Sequence, residues 1–233
     1  MKKITLLLLS CLFIGELSAQ YFVPGMESFS KKKESHILTK DSTEHSLFYV
    51  KAKRKKGVFS QIFFEDSNGN EVVFNADDIL SMEIPPSDMG KLIALNEATE
   101  SIATMSQTKF SDCVKTDYAY FEQAILPGKN PVPVLFQIVN PGFNSKITVY
   151  FDPWAQETGG VSAGGVQLTG GVDKSYYVKK DGETMKVTKG DYKKQFFPLL
   201  FGDSPEMMET YGNKINWKDF ATHVFEYDQL GKQ

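Results

Sequence analysis

The chain has 233 residues, 26 lysines and arginines, 29 aspartates and glutamates, and a formal net charge of −3 at pH 7. This length suits one large domain or two small ones, and a hydrophobic share of 41% can supply a real core. Nucleic acids and anionic membranes both favour basic proteins. We therefore expect no nucleic-acid partner.

The N-terminus has the pattern of a cleavable secretory signal peptide. Lys2 and Lys3 precede an almost wholly apolar run at residues 4–14, and Ala19 offers a small residue at the cleavage position before Gln20. A spanning helix needs roughly 20 apolar residues, and neither this run nor any later one is long enough. We predict export to the periplasm, to the outer membrane surface or to the medium, with residues 1–19 removed.

A lipoprotein is the alternative. Residues 8–11, Leu-Leu-Ser-Cys, resemble a lipobox, in which Cys11 would carry a lipid anchor. Only seven residues separate Lys3 from Cys11, which is short for the apolar part of a signal, and residues 12–17 would remain apolar at the new N-terminus. Removal of Cys11 with the signal is the favoured interpretation.

Cysteine and histidine usage predicts no metal and no cofactor. Cys113 is alone once Cys11 is removed, so no disulfide can form within the chain, and burial is a commoner fate for it than nucleophilic chemistry. His36, His45 and His223 lie far apart, and neither HExxH nor CxxC occurs.

The body of the chain is rich in strand signals. We expect a flexible lead-in at residues 20–45, with a first short strand or none, and then a meander of about four strands at 46–53, 58–65, 71–75 and 80–84. Asn68-Gly69 and Asp181-Gly182 are hairpin turns by composition. Partly helical spacing at 87–107 predicts a helix, with a long loop as the alternative because the segment is rich in Ala, Thr and Ser. Further strands are expected at 118–126, 132–139, 146–152, 174–180 and 183–188.

The apolar spacing changes to a helical period after residue 189. Helix starts are expected at Asp191, at Asp203 or Ser204 followed by Pro205, and near Asn216. The predicted fold class is mainly β (α+β), a twisted antiparallel sheet or half-barrel with a C-terminal helical segment packed on it. The expected organisation is a signal peptide (1–19), a lead-in (20–45), a β-rich domain (46–188) and a helical segment (189–230).

The glycine-rich stretch at 159–171 is the most conspicuous motif. It lacks the Gly-Lys-Ser/Thr ending of a phosphate-binding loop, so a loop beside a binding face is the favoured interpretation. Gly160 and Gly164 give Ser162 the spacing of a nucleophile elbow, and His223 lies downstream. That motif needs a helix after the serine, whereas the β-prone residues 166–168 follow, so a hydrolase is disfavoured.

Aromatic residues and a basic run are the remaining candidates for binding. Trp154, at a strand end, and Tyr176 are the candidate binding residues, although burial is the commoner fate for Trp154 as well as for Trp217. Asp77-Asp78 are adjacent, so they are expected to cap a turn and not to act as a glycosidase pair. The basic residues within 51–56 are expected to form a solvated strand end and turn.

Several segments resemble a family of small uncharacterised exported proteins of Bacteroidetes. They are Asp77-Asp78-Ile79, residues 176–180 continuing to 192–196, Asp203-Ser204-Pro205-Glu206 and Asp219-Phe220. The resemblance implies export and a strand-then-helix layout, but no activity and no site residues, and the glycine-rich stretch departs from it.

Three functions are therefore weighed. The leading hypothesis is a non-enzymatic cell-envelope module that binds a protein or a glycan. The alternatives are a hydrolase with a dispersed active site and a structural adaptor of outer-membrane machinery. A deep pocket with converging Asp, Glu, His or Ser would favour the hydrolase, and a shallow face would favour the binding module.

Overall fold

A computed structural model describes residues 22–91, 117–155 and 175–232, together with the backbone of four two-residue strands between residues 157 and 173. The chain is mainly β, and a C-terminal group of helices follows the strands, as the sequence predicts.

Seven strands form a curled antiparallel sheet, a half-barrel, in the order β4-β3-β2-β1-β5-β6-β7. Their bounds are β1 Glu34–Thr39, β2 Glu44–Lys55, β3 Val58–Glu65, β4 Glu71–Asn75, β5 Ile79–Ile84, β6 Ala119–Leu126 and β7 Val132–Gln137. Irregular register within β2 and β3, near Tyr49 and near Lys53, bends the ribbon and adds to the curl. Gly69, at φ +82°, closes the predicted turn between β3 and β4.

The order of the strands corrects the predicted four-strand meander. β2, β3 and β4 are consecutive neighbours, but β5 pairs with β1 instead of β4. A 3-10 turn, Ala76–Asp78, leads the chain from β4 to β5, on the side of β1 that faces away from β2. β1 lies in the region expected to be a lead-in, and its alternating pattern buries Ser35, Ile37 and Thr39. The pairing of β5 with β1 is therefore decided by which strand faces are buried together, and not by closeness in the sequence.

This sheet has an apolar cluster to which the N-terminal segment contributes. Met26 and Phe29 lie on Ile62, Phe64 and the buried residues of β5. The ring of Phe29 meets that of Phe121 on β6 at 5.9 Å. The segment before β1 thus forms part of this core.

A second, three-stranded sheet has the order β14-β13-β8 and carries the helices. Its strands are β8 Ile147–Phe151, β13 Ser175–Lys180 and β14 Glu183–Thr188, and a single bridge from Ile138 to Tyr150 joins it to the end of β7. Between β8 and β13, the short strands β9 Glu157–Thr158 and β12 Val172–Asp173 pair, as do β10 Ser162–Ala163 and β11 Val166–Gln167.

The helical segment begins where the sequence predicts. A π-helical turn, Tyr192–Phe196, continues into helix Phe197–Phe201; helix Pro205–Tyr211 follows; and a 3-10 turn, Trp217–Asp219, continues into the terminal helix Phe220–Gln229. The Ser204 hydroxyl caps the middle helix by accepting the Met207 N–H at 3.2 Å. These helices bury one face of the second sheet, including Val149 and Val178.

The predicted helix at 87–107 is described only at its start. Residues 88–91 are helical, and the Ser87 hydroxyl accepts the Gly90 N–H at 3.0 Å. The remainder of that prediction and Cys113 lie outside the described residues. Within the described part of the chain, no helix has both the length and the apolarity to cross a membrane.

Candidate functional site

Trp154 is an exposed aromatic residue whose backbone and indole N–H are both hydrogen-bonded. It lies in a turn after β8, in which Asp152 Oδ1 accepts the Trp154 N–H at 3.0 Å and the Asp152 carbonyl accepts the Ala155 N–H at 3.0 Å. Its indole N–H donates to the Lys56 carbonyl at 2.7 Å, and 38% of the residue is exposed. The indole therefore joins the turn between β2 and β3 to the second sheet.

Asp152 supports this turn from inside the protein. Its side chain is fully buried, and Oδ2 accepts the Ser175 hydroxyl at 2.7 Å and pairs with Lys186 Nζ at 2.8 Å. The Lys186 ammonium also lies over the ring of Tyr177, 5.4 Å from its centroid. Burial and, secondarily, the Asp152 charge raise the pKa of Tyr177 to about 12, so that phenol is neutral.

The indole packs edge-to-face on two rings and against a glycine. Phe136 and Tyr177 lie at centroid distances of 6.4 and 6.1 Å with interplanar angles of 88° and 85°. Gly57 has a φ of +84°, and a Cβ there would lie 3.4 Å from the indole nitrogen of Trp154. A glycine at this turn satisfies the positive φ and leaves room for the ring.

Next to Trp154 lies a cluster of exposed cations that we call the basic hairpin: Lys51, Lys53, Arg54, Lys55 and Lys56. The Lys51 and Lys53 ammonium groups lie 4.8 and 5.1 Å from the centroid of the Phe63 ring. Arg54 lies over Phe59 and is 3.5 Å from Glu27. The lysine stems thus cover an apolar strand face while their charges stay in water, as expected for a solvated hairpin.

A separate cavity of about 420 Å³ lies at the other end of the second sheet, where Lys146, Lys179, Lys180 and Tyr227 are among its lining residues. Lys146 donates to the carbonyls of Tyr227 and Leu230 at the end of the terminal helix, at 2.9 and 2.5 Å. A lysine that bonds the last carbonyls of a helix stabilises the end of that helix. This cavity is therefore basic in composition, but one of its lysines holds the fold together.

The other two lysines of the cavity are neutralised by carboxylates. Lys180 pairs with Asp203 at 2.9 Å, and Lys179 pairs with Glu122 at 2.5 Å. Glu122 also accepts a hydrogen bond from the buried Tyr150 hydroxyl, whose pKa is raised by burial and then by this carboxylate. All three of these lysines are therefore engaged by other groups of the protein.

His223 is fully buried among aromatic rings in the helical segment. Nδ1 shares a 2.7 Å hydrogen bond with the Tyr192 hydroxyl, and Nε2 has no hydrogen-bond partner among the described residues. The Tyr211 ring centroid lies 4.4 Å from the imidazole centroid. Burial lowers the pKa of His223 to about 4, so the ring is neutral at physiological pH.

The other candidates occupy structural positions. Tyr176 is buried between the second sheet and the helices, edge-to-face with Phe22 at 5.0 Å, and Trp217 is buried, as expected. Asp77 and Asp78 lie exposed in the 3-10 turn before β5. Within the described residues, no group of three His, Cys, Asp or Glu side chains could hold a metal ion.

Ser162 has the backbone of a strand and not of a nucleophile elbow. Ser162–Ala163 pairs with Val166–Gln167, so a second strand follows where the elbow needs a helix. The rest of the glycine-rich stretch, and the side chain of Ser162, lie outside the described residues.

Two features of the Trp154 site were not predicted from the sequence. The buried role of Asp152 had a local signal, because Asp-Pro-Trp after a strand is turn chemistry. The contact with Lys56 had none, since 98 residues separate it from Trp154.

Comparisons with protein-family models, with curated proteins and with solved structures give no match to this chain.

Proposed function

We propose that this protein is an exported, non-enzymatic binding module of the cell envelope that holds its partner through Trp154 and the basic hairpin. The observation that carries the proposal is the fixed, partly exposed indole: backbone and ring contacts orient Trp154 while 38% of it remains open to solvent. A rigid aromatic group supplies contact area at little entropic cost, which is why such residues are common in binding surfaces.

The arrangement of ionisable groups favours binding over hydrolysis. Glu122 and Asp203, which pair with the cavity lysines, are engaged by those lysines and by Tyr150 and Tyr227, and His223 is enclosed by aromatic rings. A hydrolase would need a nucleophile, a base and an oxyanion site converging on a space for substrate. Among the described residues, Ser145 and Asp181 line the cavity, but no histidine does and the Ser145 hydroxyl is bound to Asp228, so the hydrolase remains the second candidate. A structural adaptor of outer-membrane machinery is the third.

Export is part of the proposal and has its own test. We expect the mature protein to begin near Gln20, and mass spectrometry of its N-terminus measures this directly. A diacylated Cys11 would contradict soluble export and would place the protein on a membrane face. An unprocessed N-terminus would contradict export itself.

The binding function is tested by co-sedimentation of the purified protein with isolated envelope material, including peptidoglycan and outer-membrane fractions. Replacing Trp154 with Ala removes the indole and is expected to weaken binding about tenfold, which corresponds to the loss of an aromatic contact worth about 1.4 kcal/mol. Trp154→Phe keeps a ring and should lie between the two. Val132→Ala removes an exposed apolar side chain from β7 and serves as the matched control.

Two results would reject this function. Equal sedimentation of the wild type and Trp154→Ala would remove Trp154 from the binding surface. Release of soluble products from the envelope material by the wild type, lost in Ser162→Ala, would establish the hydrolase instead.

A further inference from the structure

The basic hairpin is a local excess of positive charge on an acidic protein. The whole chain has a formal charge of −3, yet five of the six residues from 51 to 56 are Lys or Arg. Within the described part of the chain, Glu27 is the one carboxylate that forms an ion pair with this group, at 3.5 Å from Arg54. Unneutralised clusters of this kind attract anions at a distance.

Three of these charges follow one another along β2. Lys51 and Lys53 are alternate residues of β2, so they share a face and lie about 7 Å apart, and Lys55 follows them beyond the register shift between Lys53 and Arg54. Two of their ammonium groups are positioned over the Phe63 ring. A row of partly fixed cations is suited to a linear polymer with regularly spaced negative charges, since less side-chain entropy is lost on binding.

The row ends at an aromatic platform. Lys56 directly follows Lys55, and its carbonyl accepts the indole N–H of Trp154 at 2.7 Å. An indole has an apolar face on which a sugar ring can pack and a polar edge, here already satisfied. Cations and an exposed aromatic group therefore adjoin each other at one hairpin tip.

From this juxtaposition, and resting on the proposed function, we propose that the ligand of the basic hairpin and Trp154 is an acidic polysaccharide. Its carboxylates or sulfates would pair with Lys51, Lys53 and Lys55, and a sugar ring would stack on Trp154. The lysine-lined cavity is unsuited to this role, because Lys179 and Lys180 are paired with carboxylates.

Other anionic partners fit this surface less well. A nucleic acid would meet an overall negative protein, which is unfavourable at long range. An acidic peptide could add to the edge of β2 beyond Phe48, where β1 no longer pairs, but addition to that edge would make no use of the exposed indole of Trp154. Both partners are included in the test as competing outcomes.

The test uses the full mature chain and measures its binding to polygalacturonate, with dextran of similar size as the uncharged comparison. We expect binding to polygalacturonate, no binding to dextran and weaker binding as salt concentration rises. The triple variant Lys51→Gln/Lys53→Gln/Lys55→Gln is expected to lose about tenfold or more in affinity and to show a smaller salt dependence.

The matched control carries the same loss of charge elsewhere. Lys31→Gln/Lys32→Gln/Lys33→Gln removes three exposed lysines from the segment before β1 and should bind polygalacturonate as the wild type does. Thermal unfolding of both triple variants verifies that each is folded.

The other possible results contradict different parts of the proposal. Equal losses in both triple variants would show a response to net charge only and would overturn the assignment. Equal or tighter binding to a DNA duplex, an acidic peptide or phosphatidylglycerol vesicles would overturn the polysaccharide class. Retained binding to envelope material without binding to polygalacturonate overturns this inference alone, and loss of both overturns the proposed function too.

Discussion

The seven-stranded sheet and the helix-covered second sheet both have aromatic cores, but they place their ionisable groups differently. The buried polar residues of the first region are uncharged: Ser35, Thr39 and Gln137. The second region buries two carboxylates and an imidazole, which can titrate at acid pH: Asp152, Asp228 and His223. Because buried titratable groups make folding depend on pH, the second region is expected to be acid-sensitive. The first region keeps its charges on the surface, where a partner can reach them.

The largest expected effect tests whether the two cores contribute similarly to stability. Phe64 and Phe197 are fully buried, one in each region. Replacing either with Ala should lower the free energy of unfolding by about 3–5 kcal/mol, through lost burial and a cavity. Urea unfolding followed by circular dichroism measures both.

Exposed neighbours provide the controls for these substitutions. Leu199 lies in the same helix as Phe197 and is 55% exposed, and Val73 on β4 is 43% exposed. Their Ala variants should change stability by less than about 1 kcal/mol. A loss below 1 kcal/mol for Phe64→Ala or Phe197→Ala would mean that the corresponding core does not limit stability.

The pH dependence of stability should separate the two regions next. His223 has a pKa of about 4 in the fold, against 6.5 in an unfolded chain, so the unfolded state binds more protons between these values. Its contribution is complete above pH 6.5 and is lost as the pH falls to 4. The loss amounts to about 3 kcal/mol.

Two histidine variants test whether His223 causes this loss of unfolding free energy. His223→Leu should remove most of the change in unfolding free energy between pH 6.5 and 4, whereas His36→Gln, on β1, should leave it intact. Carboxylates with lowered pKa values, such as Asp203 and Asp228, contribute below this window. An unchanged pH profile in His223→Leu would exclude the buried imidazole as its source.

Asp228 should give an intermediate effect. Its Oδ1 accepts the Ser145 N–H at 2.8 Å and the Ser145 hydroxyl at 2.5 Å, and Oδ2 pairs with Lys232 at 2.5 Å. Although burial opposes ionisation, the bonds from Lys232 and Ser145 lower its pKa overall.

Asp228→Asn should therefore cost about 2 kcal/mol in thermal or urea unfolding, because charge-assisted bonds are weakened. Asp181→Asn, in an exposed turn at φ 52°, is the matched control and should be nearly neutral, since Asn tolerates that conformation. Equal stability of the two variants would show that the Asp228 contacts add nothing.

The sequence predicted the elements of the fold better than their arrangement. Strand and helix positions follow from local signals such as the turn at Asp181-Gly182, where φ is 52° and +83°. The pairing of β5 with β1 depends on which faces are buried together, and a polar β1 gave little sign of it. Local chemistry predicts segments, while packing between distant segments decides their order.

The same holds for the candidate site: its local features were predictable from the sequence, and its contacts between distant segments were not. Trp154 was recognisable because it follows a strand, but the burial of Tyr176 depends on the distant Phe220 and Trp217, which close over it. The charges of the basic hairpin were visible in the sequence. Their closeness to Trp154 was not, because it needs the two sheets to meet.

The smallest expected effect concerns the stability of the basic hairpin itself. The triple variant Lys51→Gln/Lys53→Gln/Lys55→Gln should change the free energy of unfolding by no more than about 0.5 kcal/mol, because these side chains are exposed. Lys53 loses a 3.1 Å hydrogen bond to Gln61, and Phe63 loses two cations from its face. Contacts of this kind are worth little in water.

A change in unfolding free energy near zero would show that the fold does not need these lysines. Any loss of ligand binding in the same variant would then result from the missing surface charges and not from unfolding. A loss above 1 kcal/mol would instead mean that the lysine stems protect Phe63 from water. The basic hairpin would then resemble the second region, where charged side chains stabilise the fold. The two regions would in that case differ less in how they use their charged side chains than the burial of those side chains indicates.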